Sequence, residues 1–219
     1  MTEADWLACQ DPIDMLLVPP GRDADDRRVR LFLVACCRRV WDVMSGENRA
    51  AVEVAERAAD GKTTTAELAA CEERSALYRD VDDEVIEPED QPAEYWCDVA
   101  AWKATARRPL LAAGDVCDAT RRVAENRSGE WEEVVQARLL RCVLGNPFRP
   151  VALDPEWRSE TVVALATGID QERAFDRMPI LADALEEAGC DHPDILTHCR
   201  GPGPHARGCW VVDLVLDKS

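Results

Sequence analysis

The chain has 219 residues, 47% hydrophobic and 32% charged, with a formal net charge of −17 at pH 7. That apolar fraction excludes wholesale disorder, and the length suffices for one sizeable core or two small ones. The acidity argues against nucleic acid as a direct ligand and against docking on an anionic membrane, because both need Lys and Arg facing phosphate; a basic protein partner, or solubility alone, fits it.

The opening Met1-Thr2-Glu3-Ala4-Asp5-Trp6 has neither the basic nor the apolar region of a signal peptide, and no run approaches the ~20 apolar residues of a membrane span. The ten cysteines are scattered through helical patterns, which predicts reduced thiols in a cytoplasmic protein rather than a disulfide framework. Cys36, Cys37, Cys71, Cys97, Cys117 and Cys142 have apolar or alanine-rich neighbours and are expected to pack as small hydrophobes.

In chain order, Asp11-Pro12 reads as an N-cap with proline at the first helical position, opening a short helix that Pro19-Pro20-Gly21 stops. Residues 26–44 form the most apolar helix, with Leu33, Cys37, Val40, Trp41 and Met44 at helical spacing. Val29, Phe32 and Cys36 widen its stripe, which predicts a central helix packed on several sides. On that reading Trp41→Ala costs on the order of 3–5 kcal/mol. The arginines on its edges, Arg27, Arg28, Arg30, Arg38 and Arg39, are expected to pair with carboxylates or reach solvent, with an anion site as the alternative.

A helix after Ser45 ends near Gly61, and Thr64 with Glu67 makes a capping box for the next, through Leu68, Cys71, Leu77 and Tyr78. Residues 80–91 are densely acidic but lack the EF-hand order of ligands; a solvated connector or a contact for a basic partner fits better than calcium. Pro92 restarts helix with Trp96, Val99, Ala100 and Trp102, and Pro109 breaks it. The helix resumes from Leu110 to about Asn126, and Ser128-Gly129 ends it. Trp131, Val134, Val135, Leu139 and Cys142 then mark an amphipathic helix closed by Gly145. Trp41, Trp102 and Trp131 are expected in the core.

Gly145-Asn146-Pro147-Phe148-Arg149-Pro150 is the strongest interior break. It divides an N-terminal helical region, 1–145, from a smaller C-terminal one, 146–219, expected to pack together as one domain. Asp154-Pro155 is expected to cap a helix with Val162, Leu165, Ala166 and Ile169 on one face. The same template recurs at Leu181, Ala184, Leu185 and Ala188, ending at Gly189. No segment alternates with period 2, so the predicted class is all-α, an irregular or orthogonal multi-helix bundle.

All three histidines and three of the ten cysteines lie between Cys190 and Cys209. Zinc takes four Cys or His ligands from short, turn-rich chain. Cys199 and His205 flank the rigid Gly201-Pro202-Gly203-Pro204 turn, and His205-x-x-x-Cys209 has helix-face spacing. The candidate set for one structural zinc is Cys190, Cys199, His205 and Cys209, with His198 in reserve because adjacent helical residues diverge; His192 is expected at the surface. Against it, no CxxC half-site is present, and the same residues also serve as helix caps and core thiols. A Cys209–His205 dyad is a second geometric possibility. His192-Pro193-Asp194 spells the J-domain tripeptide, but the helix before it ends acidic rather than basic. Glu132-Glu133 and Glu186-Glu187 read as solvated pairs.

Two stretches carry a resemblance. One is Glu3-Ala4-Asp5-Trp6-Leu7-Ala8-Cys9-Gln10-Asp11-Pro12 with Arg30-Leu31-Phe32-Leu33-Val34-Ala35-Cys36-Cys37-Arg38-Arg39; the other joins Gly145–Pro150, Arg173–Arg177, Leu181–Cys190 and Arg207-Gly208-Cys209-Trp210-Val211-Val212-Asp213-Leu214. Together they resemble a large paralogous family abundant in planctomycete bacteria, a family with no established activity. The resemblance implies a bacterial, cytoplasmic protein, and a glycine in relatives near the position of Asp217. No nucleophile elbow, phosphate loop or H-E-x-x-H pair is present. The functional expectation is therefore a non-enzymatic helical interaction or regulatory module, the rival a metal-dependent or thiol enzyme built on the C-terminal Cys/His cluster.

Overall fold

A computed structural model of the chain describes residues 1–76, 91–124 and 131–218. Among them are twelve α-helices and no strand, which establishes the all-α class. The acidic stretch 80–90, the helical positions Leu77 and Tyr78, and Ser128-Gly129 lie outside the described residues. The chain divides into two compact units, Met1–Ala137 and Arg138–Ser219.

The first unit contains α1 (Glu3–Ala8), α2 (Pro12–Leu17), α3 (Asp26–Arg39), α4 (Gly46–Ala59), α5 (Thr65–Ala76), α6 (Ala93–Lys103), α7 (Pro109–Ala124) and the start of α8 (Glu132–Leu144). The caps are those the sequence specifies. The Asp11 carboxylate accepts from the backbone N–H groups of Ile13 and Asp14, and Thr64 and Glu67 close a reciprocal box. Pro109 starts α7, where its missing N–H costs nothing. Gly21 permits the chain to fold back after α2: a Cβ there would lie 1.8 Å from the carbonyl oxygen of Met15.

Helix α3 is central, with every residue from Val29 to Cys37 buried, and packs against α4, α6 and α7. It stops at Arg39, five residues before the expected end, because Val40 leaves helical backbone and Trp41–Val43 forms a 3₁₀ turn. Trp41 is consequently only half-buried, with the Arg38 guanidinium 4.5 Å from its ring centre. Trp102 is also half-buried, under Arg74, and Trp131, just before α8, is 79% exposed. The core tryptophan is instead Trp6, at 0% exposure. Four α3 arginines pair with carboxylates: Arg38 with Glu56 at 2.7 Å, Arg28 with Asp25 at 3.3 Å, Arg27 with Asp60 at 3.4 Å, and Arg39 with both oxygens of Glu132 at 3.2 and 3.1 Å; Arg30, buried rather than reaching solvent, donates to the carbonyl of Ala104 at 3.1 Å. Glu132 is therefore a buried ion-pair partner, not a solvated carboxylate.

The second unit comprises the rest of α8 with α9 (Glu160–Glu172), α10 (Met178–Glu187), α11 (Pro193–Arg200) and α12 (Trp210–Leu216). Its core joins Val162, Ala166 and Ile169 of α9, Leu181 and Leu185 of α10, Ile195 and Cys199 of α11, and Val211, Val212 and Val215 of α12. The division falls inside α8 rather than at the proline-rich break, because Cys142 belongs to this second core and the turn that ends α8 packs on Trp210. Gly145 makes that turn with φ +70°, and a Cβ on it would sit 3.2 Å from the Trp210 ring. Asp154-Pro155 caps a 3₁₀ turn, Pro155–Trp157, and the Ser159 hydroxyl caps α9 itself. Buried Asp170 accepts from Lys218 at 2.6 Å and faces Arg207 at 3.5 Å, tying the residues after α12 to α9.

Candidate metal centre

Three segments of the second unit converge on one point. Cys142 comes from the last turns of α8, His198 from α11, and His205 and Cys209 from the chain between α11 and α12. The Gly201–Pro204 stretch turns that chain back, with Gly203 at φ +80°. Cys209 then precedes α12, its N–H donating to the carbonyl of Ala206 at 3.0 Å. His205 and Cys209 are thus brought together by a loop, not by the helical spacing expected from the sequence.

One ligand atom from each of the four lies within 4.8 Å of the others, so this Cys₂His₂ group could hold a metal ion. His198 Nε2 is 3.1 Å from Cys209 Sγ, and His205 Nδ1 is 3.7 Å from Cys142 Sγ. Metal–sulfur bonds of about 2.3 Å and metal–nitrogen bonds of about 2.0 Å in a tetrahedron imply S···N separations of roughly 3.6 Å. The observed pair brackets that value. The two imidazoles meet edge to face at 4.9 Å, and Trp210 packs on His198 at 5.3 Å, which fixes the ring orientations.

The electrostatics separate the two sulfurs. Burial alone would raise the Cys209 thiol, but the hydrogen bond with Cys142 and the imidazoles of His198 and His205 outweigh it and hold Cys209 well below the ordinary thiol range. The hydrogen bond to Cys209 keeps the proton on Cys142, and burial pushes it the same way, well above that range.

Of the residues singled out in the sequence, His205, Cys209 and the reserve His198 belong to this group; Cys190 and Cys199 do not. Cys199 neighbours His198 on α11, but its side chain turns into the core with Ile195, where burial pushes its thiol up. Cys190 is likewise a buried thiol raised by burial. His192 is half-buried rather than at the surface. The residue that sequence reasoning missed is Cys142, taken for a small hydrophobe because Val135 and Leu139 share its stripe. It stands 63 positions from His205, and no local spacing announces a ligand at that range.

No helix among the described residues is long and apolar enough to cross a membrane. No family model, curated protein or solved structure matches this chain.

Proposed function

We propose that the second unit is a zinc-stapled helical module, with Cys142 and Cys209 as thiolate ligands, His198 binding through Nε2 and His205 through Nδ1. The observation that carries this reading is the convergence of two sulfurs and two ring nitrogens within 4.8 Å, a donor set and size suited to zinc. Four protein ligands leave no open position, which favours a structural ion over a catalytic one. The 3.1 Å contact between His198 and Cys209 also has the form of a thiol–imidazole dyad, but Cys209 is 0% exposed, so a substrate has no route to its sulfur. The protein as a whole then acts as an acidic, non-enzymatic interaction module for a basic protein partner, its net charge of −17 steering the encounter. The planctomycete resemblance supports a bacterial, cytoplasmic setting, where ten free thiols stay reduced.

Elemental analysis of the full chain, purified without a histidine tag, tests the site. One zinc per chain is expected, lost in Cys142→Ser and Cys209→Ser and retained in Cys190→Ser and Cys199→Ser. Less than about a tenth of an equivalent in the parent overturns the site; retention in Cys142→Ser with loss in Cys199→Ser would restore the set read from the sequence alone.

A further inference from the structure

One side of the Cys₂His₂ group borders a cleft of about 200 Å³. Cys142, His198 and His205 line it, together with Thr197 and the Gly201–Pro204 turn; Cys209 is not in the lining. All of these residues belong to the second unit. Exposure follows the same asymmetry, Cys142 retaining 2% and Cys209 being at 0%. The cleft is smaller than the ~300–1,000 Å³ of pockets for drug-sized ligands, so it suits a molecule little larger than water. The group therefore has a front sulfur at the cleft and a back sulfur screened from it.

The two sulfurs are no more than 4.8 Å apart, although they come from different segments. Cys142 is held in α8, whereas Cys209 ends the loop that leads into α12. A disulfide requires closure to about 2.05 Å, and a cysteine at a loop end can move toward one fixed on a helix. An accessible sulfur beside a resolving one is the arrangement of a redox-sensing cysteine pair.

We infer that Cys142 and Cys209 are a hydroperoxide-reactive pair, Cys142 attacking the oxidant at the cleft and Cys209 resolving the product as a disulfide that releases the zinc. This rests on the zinc reading, because a metal-bound cysteine is a thiolate and the thiolate is the nucleophile. The Cys142 sulfur attacks one oxygen of hydrogen peroxide; an S–O bond forms, the O–O bond breaks, and hydroxide leaves. The Cys209 thiolate then attacks the Cys142 sulfur; the S–S bond forms, the S–O bond breaks, and a second hydroxide leaves. The two sulfurs give up two electrons, and peroxide becomes two hydroxides that take protons from solvent. A disulfide is not a thiolate ligand, so two imidazoles alone face the zinc and the ion departs.

The test treats the full chain, zinc-loaded and untagged, with hydrogen peroxide in thiol-free buffer. A chromogenic chelator follows the zinc, and peptide-mapping mass spectrometry locates the disulfide. Loss of the zinc is expected in step with a Cys142–Cys209 disulfide, and a thiol reductant should restore binding. Cys199→Ser should behave as the parent. Thr197→Trp, which fills the cleft from an exposed position, should keep its zinc and release it severalfold more slowly. Zinc retained under peroxide, or a disulfide that uses Cys199, overturns this inference and leaves the staple standing. An unchanged rate in Thr197→Trp equally overturns it, since the cleft would not be the route. Absence of zinc from the untreated chain removes the staple and this inference together.

Discussion

Cys36 and Cys37 in the first unit and Cys209 in the second start from similar burial and are driven in opposite directions. Cys36 and Cys37 lie in α3 with Cys97 and Cys117 nearby, and burial drives the Cys36 and Cys37 thiols far up. No histidine occurs before residue 192, so no imidazole offsets burial there; the Arg38 charge lowers Cys37 but does not outweigh it, and these sulfurs serve as small apolar fillers. Cys209 is equally buried, yet two imidazoles and the Cys142 thiol hold it low. Burial alone raises a thiol; at Cys209 two imidazoles and a neighbouring thiol reverse that direction.

The sharpest way to break this contrast is to remove the proposed zinc. Chelation, or Cys209→Ser, should abolish hydrogen-exchange protection in α11 and α12 while α3 and α7 keep theirs, since zinc-finger peptides draw about 10–16 kcal/mol from structural zinc. Protection that falls equally in both units, or in neither, refutes the division.

Acid should separate the units as well. Protons compete with the proposed zinc for its ligands, so α11 and α12 should loosen first as the solution is acidified. The first unit should persist further. Hydrogen bonds from the Thr64 N–H and hydroxyl, followed by Arg57, hold the Glu67 carboxyl below its usual range. The stability this contributes is present above the unfolded carboxylate value of about 4.3 and is lost as pH falls through the lower folded value. Circular dichroism and hydrogen exchange across pH 7 to 3 would show two steps; one coincident step contradicts the ordering.

Within the first unit, Trp6→Ala should cost about 3–5 kcal/mol and Trp41→Ala, half-buried, about 1–2 kcal/mol. Trp131→Ala should change stability by less than about 0.5 kcal/mol. Denaturant melts read all three; a large effect at Trp131 would show that its ring is covered in solution.

What the sequence disclosed follows the range of each interaction. The caps at Asp11, Thr64–Glu67 and Gly145 rest on relations within a few residues, and they were legible. So were the apolar faces of α9 and α10. The tryptophans were not, because periodicity gives a position on a helix and not where the helix stops: Trp41 lies beyond α3 and Trp131 before α8. At the metal centre, His198, His205 and Cys209 fall within a dozen residues and stood out, whereas Cys142 is hidden in an ordinary stripe. Adjacent helical residues diverge, but nothing local shows which of His198 and Cys199 faces the core.

The smallest expected effect concerns the residue that ends α12. Asp217 ends α12 in left-handed backbone, φ 56°, a conformation glycine adopts without the Cβ penalty. Asp217→Gly should raise stability by roughly 0.5 kcal/mol, seen as a melting shift of a degree or two; a decrease would mean that its contact with Arg158 at 4.0 Å outweighs the backbone gain.

The spacing of the four ligands also has a temporal meaning. On a ribosome extending the chain by about 5–20 residues per second, the 63 positions from Cys142 to His205 take roughly 3–13 s to add. Throughout that interval α8 presents a lone thiol. A nascent chain that stalls short of Cys209 lacks one of the four proposed zinc ligands, so it carries the signature of an unfinished protein: a Cys142 thiol open to alkylating reagents where the completed chain buries it.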